Sequence, residues 1–190
     1  KLAAPWLQSN NDARSLALAA LTAAPKGPGA LGDNVAGLSG GKGWQLGLDH
    51  TLGIEGLSQE HGVLGWSNGK TGVGLGFDYL NFGSVDAYSV VGNKLVAGTA
   101  FNPYAANASL GASQKWGGVS LGAAAKWASQ SLDGSSSASA FAGDLGLLWA
   151  GKSGLSLGVA AHNLGGDLDG AKLPAQTKLG LAYQAKPGGH

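Results

Sequence analysis

The sequence predicts an all-β protein. Residues 43–190 read as an antiparallel, up-and-down, transmembrane-type β-barrel of about eight strands, and residues 1–42 as an irregular or short-helical N-terminal segment. Three observations predict this. From Trp44 onward, large apolar residues alternate with Gly, Ala, Ser or an isolated charge, which is the two-residue period of a strand. Short Gly-rich turns alternate with longer connections along the chain. Five of the six tryptophans lie in or beside the alternating stretches, several near their ends.

The N-terminal 42 residues lack the alternation and read as a plug, an added strand or a short helix. The opening Lys1-Leu2-Ala3-Ala4-Pro5, without methionine, suggests a mature product from which a secretory signal has been removed.

The strands follow in order. In 44–52, Trp44, Leu46 and Leu48 oppose Gln45, Gly47 and Asp49, and a second strand follows at 59–68. In 70–82, Val73, Leu75, Phe77 and Tyr79 oppose Gly72, Gly74, Gly76 and Asp78. After a long connection, in which Asn93–Phe101 has the composition of a hairpin arm, strands fall at 105–116 and 118–130. The latter sets Val119, Leu121, Ala123, Ala125 and Trp127 against Ser120, Gly122, Ala124 and Lys126. In 138–150, Phe141, Leu145, Leu147 and Trp149 oppose Ala142, Asp144 and Gly146. In 154–164, Leu155, Leu157, Val159 and Ala161 oppose Ser156, Gly158, Ala160 and His162, and 176–185 closes the series with Leu179, Leu181 and Tyr183. Short turns alternating with long loops are the rhythm of a bacterial outer-membrane barrel.

Within this series, Gly146-Leu147-Leu148-Trp149-Ala150-Gly151-Lys152-Ser153 satisfies G-x-x-x-x-G-K-[ST], a phosphate-binding loop. Such a loop needs a helix directly after it, so that the helix N-terminus and successive N–H groups surround the phosphates. Here the alternation resumes at once, and the stretch reads as a hairpin turn rather than a nucleotide site. Gly69-Lys70-Thr71 is also a turn.

Composition narrows the function. Gly occurs 35 times, charged residues make up 12%, and the net charge is +1 without a basic cluster, which argues against a nucleic-acid partner. No cysteine means no disulfide, thiolate metal site or cysteine nucleophile. No apolar run approaches the roughly 20 residues of a membrane-spanning helix, which excludes only the helical way of crossing. The large side chains share one face, and the other is mostly Gly, Ala and Ser. That assignment favours an outward apolar face in lipid over a soluble sandwich, whose solvent face usually carries many charges.

Several short stretches together resemble the PorV-like family of outer-membrane β-barrels, a branch of the fatty-acid-transporter (FadL-like) superfamily. They are Ala13-Arg14-Ser15-Leu16, Gly29-Ala30-Leu31-Gly32-Asp33-Asn34-Val35-Ala36-Gly37-Leu38, Leu121 to Trp127, Asp144 to Leu148, His162-Asn163-Leu164-Gly165-Gly166, and Leu173-Pro174 followed by Lys178 to Tyr183. The second is similar to the family's Asn-Pro-Ala-Gly-Leu signature, with Val35 in place of proline. Family barrels have about fourteen strands, so the match is to their N-terminal half. The resemblance implies an outer-membrane location and a structural, secretion-accessory or lipophile-handling role, with the bilayer and secretion-system proteins as partners.

The candidate site residues are an inward polar cluster, Asp49, Asp78, Lys126, Asp144 and His162, and interfacial aromatics, Trp44, Trp66, Trp116, Trp127, Trp149 and Tyr183. His50, His61, His162 and His190 lack ligand-like spacing, and no catalytic, metal or cofactor site is expected. Asn107-Ala108-Ser109 is a glycosylation sequon by letters, placed inside a strand. Strict alternation of the connections favours closure within one chain, with Trp44–Leu52 beside Thr177–Ala185. So narrow a barrel leaves no channel and excludes the N-terminal segment from its bore. The alternative is a self-assembling subunit whose open edges pair between copies in an oligomeric barrel, tube or extracellular fibre.

Overall fold

The computed structural model describes residues 3–8, 15, 17, 22–134 and 136–185. Among these residues twelve strands follow one another: β1 (Gly43–Leu52), β2 (Ser58–Ser67), β3 (Thr71–Asn81), β4 (Tyr88–Val91), β5 (Lys94–Ala97), β6 (Tyr104–Trp116), β7 (Val119–Ser131), β8 (Ala138–Ala150), β9 (Leu155–Leu164), β10 (Asp167–Leu168), β11 (Ala171–Lys172) and β12 (Gln176–Tyr183). Eight of them form one antiparallel sheet in the order β1-β2-β3-β6-β7-β8-β9-β12. Their ends lie within one or two residues of those expected from the alternation. β5 falls within the expected arm, Asn93–Phe101, and pairs with β4 just before it, turning at Gly92 and Asn93, both at positive φ. β10 and β11 make a second small hairpin in the last long connection. The hairpin reading of Gly151–Gly154 holds: β8 ends at Ala150, β9 begins at Leu155, and no helix follows Lys152.

The expected pairing of the first strand with the last is not present. β1 pairs only with β2, and β12 only with β9, so the sheet is open at both ends among the described residues. The N-terminal segment supplies the reason. Instead of lying outside, residues 22–41 run across the inner face of the sheet, as the short helix α1 (Ala30–Asp33) and the 3-10 helix Val35–Gly40. Ala30, Leu31, Val35 and Leu38 pack with Ala124 of β7 into a buried core. A second core forms nearer the long connections, where Ala4 meets Ala140, Leu168 and Leu173, with Trp6 and Leu7 packed against them.

The inner glycines are explained by this packing rather than by curvature alone. A Cβ at Gly122 would lie 2.6 Å from the Val35 carbonyl carbon and 2.7 Å from the Ala36 nitrogen. At Gly74 it would meet Leu38 at 2.9 Å, at Gly65 Pro28 at 2.9 Å, and at Gly180 the Ala23 nitrogen at 2.9 Å. The segment's backbone thus lies directly on the sheet from β2 to β12, and only glycine leaves it room.

The large apolar residues occupy the opposite face and are exposed. Leu46 is 67% exposed, Leu75 54%, Phe141 74% and Leu181 70%, whereas the core beneath the sheet is made of small residues and the N-terminal segment. The face assignment expected from the alternation is therefore the one the chain adopts.

Candidate functional site

The polar side chains that the alternation turns inward form two clusters beneath the N-terminal segment. The first is built by an irregularity between β8 and β9. Gly143 pairs with Leu164 but Leu145 with Ala161, so His162 and Asn163 together stand opposite Asp144. Asn163 takes up the extra residue at φ 55°, in the left-handed region that asparagine tolerates. The bulge adds the Asn163 N–H to the groups that meet at one carboxylate. Asp144 Oδ2 accepts from Lys126 Nζ at 2.7 Å and lies 3.0 Å from His162 Nδ1, while Oδ1 accepts from the Asn163 N–H at 2.8 Å. Lys126 Nζ also donates to Asn163 Oδ1 at 3.2 Å, and Asn163 Nδ2 to the Pro174 carbonyl at 3.3 Å. Lys126, Asp144, His162 and Asn163 are all buried, and their charged and polar groups are paired with one another.

This cluster also fastens the N-terminal segment. His162 Nε2 lies 3.1 Å from the Asp33 carbonyl oxygen, and the Asp33 carboxylate accepts a hydrogen bond from Ser15. Next to it, the fully buried Asn34 caps the 3-10 helix, its Oδ1 accepting from the Ala36 N–H at 3.2 Å. Asn34 Nδ2 faces the carbonyls of Thr22 at 2.9 Å, Leu147 at 3.0 Å and Val159 at 3.3 Å, tying the segment to β8 and β9.

The second cluster lies on β2, β3 and β6. His61 Nδ1 is 2.7 Å from Asp78 Oδ1, and Asn107 Nδ2 donates to Asp78 Oδ2 at 2.9 Å. A cavity of about 60 Å³ separates the two clusters, bordered by His61, Asp78, Asn107, Lys126, His162 and Lys178 among others. A larger one, about 520 Å³, lies at the short-turn end between residues 23–26 and the ends of β7, β8, β9 and β12.

Of the five inward polar residues expected, the structure joins Lys126, Asp144 and His162 and places Asp78 in the second cluster. Asp49, on β1, stands beside His61 in register but makes none of these bonds. His50 is on the outer face, 2.6 Å from Glu60 across the strands, and His190 lies outside the described residues. Asn107 is buried within β6, which closes the sequon to modification. The sequence pattern does not single out Asn34, Asn163 or Ser15 as site residues, and it marks Asn107 only as part of a sequon. Ser15, Asn34 and Asn163 lie within the stretches that carry the family resemblance, but period and spacing do not reveal their partners.

The aromatics form two zones on the outer face. Trp44, Trp66, Trp116, Trp149 and Tyr183 lie at the short-turn ends of β1, β2, β6, β8 and β12. Trp127 pairs with Phe141 nearer the long connections, with Phe77 in the corresponding half of β3. Along β7, Val119, which pairs with both Trp116 and Trp149, precedes Trp127 by eight residues, or roughly 26 Å along the strand. Between the zones, the outward strand positions carry leucine, valine, alanine and glycine; the His50–Glu60 pair lies towards the long-connection end. Among the described residues, no group of three or more His, Cys, Asp or Glu is placed to hold a metal ion. No protein-family model matches the chain, and no curated protein is significantly similar to it.

Proposed function

We propose that this chain forms the wall of a bacterial outer-membrane β-barrel whose bore is filled by its own N-terminal segment. Its role is structural or accessory to secretion rather than that of an open pore. The observation that carries this reading is the outer face: exposed leucine, valine and aromatic side chains over the whole sheet, bounded by two aromatic zones. At a strand tilt of about 40°, the roughly 26 Å between them spans about 20 Å of bilayer depth, close to the apolar band of such barrels. An apolar surface of this extent is out of place in water. No helix among the described residues is long and apolar enough to span a membrane. The filled inner face favours anchoring or holding a partner over diffusion through the bore.

Flotation with lipid vesicles, followed by conductance across a planar bilayer, tests the reading. The protein is expected to float with the lipid and to carry no steady current. A stable monomer in detergent-free buffer that does not float would overturn the membrane assignment, and a constant ohmic conductance would overturn the filled bore.

A further inference from the structure

We propose that the two open edges are completed by a second copy of this chain, β12 of each copy pairing with β1 of the other. The result is a closed sheet of sixteen strands, twice the eight of one copy, around two N-terminal segments. The inference rests on the membrane reading above, since free N–H and C=O groups in lipid cost several kcal/mol each.

Three observations lead to it. First, β1 and β12 suit one another. With Gly180 set opposite Gly47, the outer face aligns Tyr183 with Trp44, Leu181 with Leu46 and Leu179 with Leu48. The inner face then sets Lys178 opposite Asp49 and Gln176 opposite Thr51. Asp49 and Lys178 are both half-buried, of opposite charge, and without an ion pair among the described residues. Directly opposed unlike charges stabilise an antiparallel pair. The edges thus match in outer apolarity and inner charge, the eight residues of β12 lying within the ten of β1.

Second, the same chain cannot use this match. An eight-stranded barrel has an interior just wide enough for side chains. Here residues 22–41 already bring a backbone against that face, from Pro28 at Gly65 of β2 to Ala23 at Gly180 of β12. Drawing β1 and β12 together would expel the segment and the buried Asn34 and Val35 with it.

Third, direction selects the partner strand. β1 leaves the short-turn end and β12 returns to it, so the two are antiparallel. Two copies inserted in the same orientation would pair β1 with β1 in parallel, breaking the antiparallel ladder. Pairing β12 with β1 preserves the ladder, and a two-fold axis through the bore makes both junctions identical, leaving no edge.

The chain has no cysteine, so introduced thiols report unambiguously. Asp49→Cys and Lys178→Cys are chosen over the two glycines because a side chain at Gly180 would strike Ala23. Each single variant, and an equal mixture of the two, is reconstituted, floated with vesicles, and treated with oxidant or a short bis-maleimide. The mixture is expected to give a covalent dimer that neither single variant gives. A chain carrying both substitutions should move almost entirely to twice the monomer mass. An internal bond at monomer mass would establish closure within one chain and overturn the proposal. Ladders beyond the dimer would replace the closed pair with a polymer, and floated protein with no cross-link at all would refute pairing between copies. If the protein fails to float, the membrane reading has failed, and the same mixture oxidised in buffer decides the pairing separately: a dimer upholds it and its absence ends it.

Discussion

At the scale of single residues, the inner face depends on compensation. The Asp144 carboxylate is 1% exposed and meets Lys126, His162 and the Asn163 N–H. Removing one member leaves a buried charge without its partner. Lys126→Ala is therefore expected to cost about 3–5 kcal/mol, read as a lowered urea midpoint with unchanged slope. The double replacement Lys126→Met with Asp144→Leu should recover much of that loss, because a buried pair exchanged for apolar groups is often near neutral. A single replacement as mild as an exposed surface change would show that the cluster does not stabilise the fold. By contrast, the His50–Glu60 pair is about half exposed, and His50→Ala should shift the midpoint by no more than about 1 kcal/mol.

At the scale of elements, the N-terminal segment and the glycine rows of the strands depend on each other. Gly122→Leu inserts a side chain where the Val35 carbonyl carbon and the Ala36 nitrogen lie, and backbone cannot move aside as a flexible side chain can. Limited proteolysis should then cut residues 22–41 many times faster than in the parent protein, while far-ultraviolet circular dichroism still reports the sheet. Equal proteolysis of the two proteins would mean that the segment is not held against β7. The strands themselves were legible in advance because period two is a local property, and Gly or Asn at the turns is needed for positive φ. The inner row of small residues was legible too, but its cause was not. Glycine on a strand is consistent with curvature, with a bulge or with another backbone passing close. Only the position of Val35 and Ala36 over Gly122 distinguishes them.

At the scale of the molecule, an exposed apolar face and an inner face covered by residues 22–41 set what the protein tolerates. Leu147, outward on β8 between the aromatic zones, should as Leu147→Arg cost about 2–4 kcal/mol in lipid. Equilibrium unfolding in vesicles measures this, and a cost near zero would argue that the face is not in the bilayer. A substitution to arginine at the exposed arm, Val90→Arg on β4, serves as the comparison and should change little.

The sequence by itself determined the antiparallel strands, their ends, the alternation of short and long connections and the division of residues between two faces. These follow from the pleat, which turns successive side chains to opposite sides whatever lies beyond. It also marked Lys126, Asp144 and His162 as inward. Only the tertiary structure decided which groups meet. Lys126 and His162 flank Asp144 on the adjacent strands, yet the Asn163 N–H reaches the same carboxylate only because Asn163 bulges, and Asn34 reaches Val159 across 125 residues of chain. The open ends of the sheet were decided there as well. Connection lengths are consistent with closure, but an eight-stranded barrel is just wide enough for its own convergent side chains, and here residues 22–41 lie against the inner face of the sheet instead.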